Sequence, residues 1–103
     1  MFTETLSQAV DRLTAAGYTD DFRAESGGLW AIAADVLYRP ESLAIDEVVR
    51  FEGITDPADE AIVFALHSEE DGVKGTYTVA YGPGMGALDA EMIHRLPNNP
   101  RRR

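Results

Sequence analysis

Two periods of apolar residues run along this chain. Near the N-terminus, Leu6, Ala9, Val10 and Leu13 recur at helical spacing and form one apolar stripe. Thr5 and Gln8 are spaced as a capping box, and Phe2 stands one helical turn ahead of Leu6, placed to staple the entry. Ala16-Gly17 closes the helix, with Gly17 suited to the left-handed position after it. Beyond this point the period shortens. Phe22–Ala24 reads as a short strand, bounded by the turn Glu25-Ser26-Gly27-Gly28. Leu29–Ala34 is apolar on both faces, as a central or covered strand would be; its alanines also suit a helix, but the run is short for one. Val36-Leu37-Tyr38 either extends this strand or forms a separate edge, and Pro40 ends it.

Ala44–Glu52 alternates imperfectly. Ile45, Glu47, Val49 and Phe51 share one face, and Asp46, Val48, Arg50 and Glu52 share the other, a half-buried strand with a polar side. Gly53–Pro57 breaks the pattern, and Asp56-Pro57 resembles an N-cap followed by the first position of a helical turn over Pro57–Glu60. Ala61–His67 is the next strand, with Ile62, Phe64 and Leu66 on one face. Glu69–Gly72 is a turn with Gly72 supplying positive φ, and Val73–Tyr81 returns as the partner strand of an antiparallel hairpin. Gly82–Gly86 is a loop. A last helix covers Ala90–Leu96, with Asp89 as N-cap, Met92, Ile93 and Leu96 inward and Pro97 as the stop.

The order α-β-β-β-β-β-α predicts an α+β two-layer sandwich. Its sheet is mainly antiparallel, of four to five strands, with a helix at each end of the chain. Residues 1–97 form one domain and 98–103 a frayed basic tail. At 103 residues, roughly two-thirds of the unfolded surface can be buried in one core.

Composition narrows the chemistry. There is no cysteine, which removes disulfides, thiol nucleophiles and thiolate metal sites. The first ten residues do not read as a signal peptide, and no apolar stretch approaches the ~20 residues of a membrane span. A cytoplasmic protein without membrane contact is expected. Asp and Glu number 18 against 9 Lys and Arg, and Arg101, Arg102 and Arg103 supply three of the nine. So acidic a surface repels phosphate backbones and argues against direct nucleic-acid binding.

Most of the midchain charge lies between Ile45 and Leu66. Asp46, Glu47, Glu52, Asp56, Asp59 and Glu60 are oxygen donors suited to a hard cation such as magnesium, but calcium-loop spacing is absent. Each also has a structural use. Asp56 caps a turn, Asp59 and Glu60 suit a helix start, and Arg50 pairs with a neighbouring carboxylate. Glu47, set among apolar neighbours, needs either a raised pKa or a partner such as Arg23 or Arg39. The glycines Gly82, Gly84 and Gly86 stand between a strand and a helix, where a phosphate cradle would sit. The GxGxxG spacing is not met and Asp89 would repel an anion, so a plain turn is the favoured account of them. His67 ends a strand and His94 lies on the last helix, with no nucleophile elbow to make a triad. Trp30, Tyr38, Tyr77 and Tyr81 read as core or sheet-face residues, or as a stacking platform for a ligand.

The segments GYTDDF, IDEVVRFEG and TDPADEAIVFAL, and the closing AYG with its EMI helix, resemble a family of small bacterial proteins of about 100 residues. Its members have no established activity and often carry the label phosphoribosylpyrophosphate synthetase. The resemblance runs from Leu6 to Leu96 and is closest over Ile45–Ala65. Taken at its word, the label implies a metal-assisted enzyme acting on phosphorylated sugars or nucleotides. True synthetases are several times longer, with two phosphate-binding domains and an acidic pair followed by small hydroxyl residues. Here Asp46-Glu47 runs on into Val48-Val49-Arg50-Phe51, and no cradle follows. The expectation is therefore a binding or regulatory module without a cofactor. Its surface would be Asp46, Glu47, Arg50, Glu52, Asp56 and Asp59. Its partner would be another protein, or a second copy paired through a sheet edge.

Overall fold

The computed structural model describes residues 4–51, 60–80 and 85–97. Helix α1 covers Leu6–Ala15 and starts with the anticipated box. Thr5 Oγ1 accepts from the Gln8 amide at 3.1 Å, and Gln8 Oε1 accepts from the Thr5 amide at 2.8 Å. Gly17 follows the cap at φ 109°. Six strands come next: β1 (Asp20–Glu25), β2 (Gly28–Ala31), β3 (Val36–Tyr38), β4 (Leu43–Phe51), β5 (Ala61–Ser68) and β6 (Lys74–Ala80). A 3₁₀ turn at Pro40–Ser42 leads into β4, and helix α2 covers Ala87–Arg95.

The strands form one sheet in the order β3-β2-β1-β6-β5-β4. Every neighbouring pair is antiparallel except β1 with β6, which is parallel. The α+β class with terminal helices and a mainly antiparallel sheet holds. A sixth strand arises because Leu29–Ala34 is not continuous. The buried Asp20 carboxylate accepts from the amides of Ala33 and Ala34 at 2.8 and 2.9 Å. This pins a turn over residues 32–35, closed by Asp35 at φ 59°, so Val36–Tyr38 becomes a strand of its own.

The helices lie on opposite faces, so the layering is helix, sheet, helix rather than two layers. Strand β5 shows why, because it is apolar on both sides. Ile62, Phe64 and Leu66 join the main core with Met92 and Leu96 of α2. Val63 and Ala65 point the other way and pack with Leu13, Val10 and Tyr18. Fully burying one such aliphatic side chain is worth ~1.5–3 kcal/mol, so β5 anchors both helices.

Strand β4 departs from simple alternation. Its register to β5 shifts between Ile45 and Glu47, a β-bulge with Asp46 as the extra residue. Ile45 therefore joins the α2 face opposite Leu66, while Glu47, Val49 and Phe51 lie on the α1 face opposite Ala65, Val63 and Ala61. The expected grouping of Ile45 with Glu47 is corrected by that one inserted residue. Helix α2 also begins three residues earlier than expected. Gly86, not Asp89, is the N-cap, and Asp89 sits in the first turn with its carboxylate turned to Tyr77. No helix among the described residues is long and apolar enough to cross a membrane.

Candidate functional site

Strands β1 and β6 meet at the centre of the sheet, but they pair only at Asp20↔Gly75 and Asp21↔Thr76. Gly75 permits that junction. A Cβ at this position would stand 2.5 Å from the Asp20 carbonyl oxygen, closer than any side chain tolerates. Past the junction the strands part. Among the described residues, Phe22–Glu25 pair with β2 alone, and Tyr77–Ala80 pair with β5 alone. The gap between them is a cleft of about 410 Å³ lined by Asp21, Phe22, Arg23, Ala24, Tyr77, Thr78 and Asp89. That volume lies within the ~300–1,000 Å³ typical of ligand sites.

The lining is two-sided. Phe22 and Tyr77 are buried members of the core beneath α2 and form a floor with the partly buried Ala24. Asp21, Arg23 and Thr78 are exposed and form the opposite, open rim. At the floor, the Tyr77 hydroxyl donates to Asp89 Oδ1 at 2.6 Å, which ties the end of β6 to the first turn of α2. Burial, and then this carboxylate, push the Tyr77 hydroxyl well above the usual phenol range, so it stays a donor. The first turn of α2 has no side-chain cap.

A second polar cluster surrounds the bulge on the α1 face. Asp46 Oδ2 accepts from the Tyr18 hydroxyl at 2.7 Å and lies 2.8 Å from His67 Nδ1. Glu47 takes two hydrogen bonds from Arg12, whose guanidinium also holds Glu4. Lys74 lies over the Tyr18 ring at 4.3 Å and reaches the Ala16 carbonyl at the end of α1. Burial first, and the Asp46 carboxylate second, push the Tyr18 hydroxyl up to about 12. The group fastens α1 to the sheet, and the partner of Glu47 is Arg12 rather than Arg23 or Arg39.

The residues singled out from the sequence therefore separate. Asp46 and Glu47 share the α1 face because the bulge turns both to one side. Arg50 lies opposite Ile62 on the α2 face. Glu52, Asp56, Asp59, Gly82 and Gly84 lie outside the described residues, as do the expected helical turn near Pro57 and Tyr81. Gly86 has an ordinary extended φ of −72° as the cap of α2. Among the described residues, no three His, Asp or Glu side chains are grouped to hold a metal ion. His67 joins Asp46, whereas His94 is exposed in the last turn of α2. Trp30 is half-buried, its indole N–H donating to Asp35 at 3.2 Å, while Tyr38 and Tyr77 are core residues.

Sequence reasoning passed over Asp21 and Thr78, and named Arg23 only as a partner for Glu47. One signal pointed towards them: Gly75, isolated within an alternating strand, marks a close backbone approach. No family model, curated protein or solved structure matches the chain.

Proposed function

We propose that the chain is a small binding module whose ligand occupies the cleft between β1 and β6. One observation carries this: two neighbouring strands at the centre of the sheet stop pairing after two residues and leave a lined gap between them. Backbone N–H and C=O groups are obligatory hydrogen-bonding groups. At a sheet edge, water satisfies them; here they flank a concave site with an aromatic floor and a charged rim. Parallel strands that part at their carboxyl ends make the type of crevice in which open sheets hold ligands. The cytoplasm and a protein partner belong to the same proposal. It places the contact at Asp21, Arg23 and Thr78 rather than along the polar side of β4.

An amide-resolved NMR titration tests it. The probes are acetylated amino-acid amides of each charge type, then ribose 5-phosphate, phosphoribosyl pyrophosphate and ATP, each with magnesium. Shifts that saturate at Asp21–Ala24, Tyr77, Thr78 and Asp89 are expected. Silence at those amides with every probe would defeat the reading. A magnesium-dependent response to a sugar phosphate, centred on Asp46 and Glu47, would instead support the metal-assisted enzyme that the family label implies.

A second reading, self-association, draws on β4. It is an edge strand of nine residues, and no described strand pairs with its outer side. Val48 is 40% exposed there, beside a groove floored by Ile62 and Phe64. Light scattering that returned a one-chain mass at high concentration would end this reading.

A further inference from the structure

We infer that the ligand of the β1/β6 cleft is an extended peptide segment of about four residues, inserted as an additional strand running antiparallel to both. The inference rests on the cleft being the binding site and names what fills it.

The backbone carries the argument. Among the described residues, Phe22–Glu25 and Tyr77–Ala80 have ladder partners on their outer sides only, so two strand edges face one another across the gap. Each edge presents alternating donors and acceptors, which is the template an extended chain matches residue by residue. Four residues on each side give a runway of ~13 Å at ~3.3 Å per residue. The junction at Gly75 and Asp20 closes one end and limits the length.

Direction follows from topology. Because β1 and β6 are parallel to each other, one inserted segment has the same sense relative to both. Antiparallel ladders are the more stable per residue, so the segment runs against them. Side-chain preference follows from the two-sided lining. Alternate residues of a strand point to opposite faces, so one set meets the floor of Phe22, Ala24 and Tyr77 and is apolar. The other set meets the rim of Asp21, Arg23 and Thr78 and is polar. With a formal net charge of −9, the chain steers basic peptides towards itself, so the polar set carries net positive charge.

The test uses the full chain and short random peptides displayed on phage. Selected peptides are synthesised and titrated by NMR. Expected are alternating apolar and basic residues, and contacts from one peptide to both Phe22–Glu25 and Tyr77–Ala80. Thr78 is exposed on the rim, so Thr78→Trp blocks the slot and should weaken binding by about tenfold or more. A readout free of folding effects comes from the peptide itself. N-methylation of its backbone at alternate positions should weaken Kd by about tenfold or more in both frames, because one set of amides bonds to β1 and the other to β6. Binding that ignores N-methylation, or contacts one strand only, overturns the inference. If no peptide binds while acetylated amides or other small probes still shift the cleft residues, the peptide assignment fails and the cleft reading stands. If nothing shifts those residues, both fail.

Discussion

The bulge of β4 and the parting of β1 from β6 are two local departures from a regular sheet, with opposite consequences. At the bulge, Asp46 and Glu47 turn to one face, and their carboxylates are taken up by Tyr18, His67 and Arg12. Most of the midchain charge in the sequence lies close by, yet Asp46 and Glu47 serve to hold α1 in place. At the parting, only Asp21, Arg23 and Asp89 bear charge, but the backbone itself lies open. Charge density drew attention to one region, and geometry favours the other. A carboxylate already engaged within the fold has little left to offer a ligand, whereas an unpaired strand edge has everything to offer.

Perturbing each region in turn sharpens the contrast. The largest effect is expected from Gly75→Val. Its new side chain meets the Asp20 carbonyl at the strand junction and should cost about 3 kcal/mol in urea unfolding, the upper range for overpacking. Tyr77→Phe comes next. It leaves the Asp89 carboxylate without its buried hydroxyl donor, and a loss of about 2 kcal/mol is expected. Asp46→Ala, at the bulge, should cost only about 1 kcal/mol, because water reaches Tyr18 and His67 once the carboxylate is gone. Arg12→Ala should have the smallest effect, largely erased by added salt, since its ion pairs are exposed. If Asp46→Ala proved more damaging than Tyr77→Phe, the ranking of the two regions would be reversed.

Alkaline pH probes both regions together. Tyr18 and Tyr38 are pushed up to about 12, chiefly by burial and then by hydrogen bonds to Asp46 and Asp71, and Tyr77 is pushed higher still. An unfolded tyrosine titrates near ~10. The folded chain therefore holds these protons more tightly. The stability linked to them is complete below pH ~10 and is lost as pH rises through the folded values. The urea midpoint should fall between pH 9 and pH 11, and Tyr77→Phe and Tyr18→Phe should each flatten that fall by a similar amount, because both folded values lie above this window.

Much of the fold was legible because it rests on local rules. The capping box at Thr5 and Gln8, the left-handed Gly17, the Gly72 turn and the β5/β6 hairpin all appear where short-range chemistry puts them. Three features escaped because distant residues decide them. Asp20 reaches across 13 positions to hold the turn after β2. The bulge depends on how β4 registers against β5, which alternation alone does not reveal. Asp89 looked like a cap because acids suit helix starts, but Tyr77 claims it from strand β6. The cleft was beyond reach for the same reason: it exists only because β1 lies beside β6, and strand order is not written in local pattern. Gly75 was its single local trace.

Amide hydrogen exchange of the chain without ligand tests the central claim most directly. The claim is that β1 and β6 part at the centre of the sheet. In Phe22–Glu25 and Tyr77–Ala80, amides aimed at β2 or β5 should be protected, and alternate amides aimed at the cleft should exchange quickly. Between Val49 and Leu66, amides bonded across β4 and β5 should exchange slowly. Uniform protection through both central segments would mean that the strands are zipped together, and the cleft would be gone.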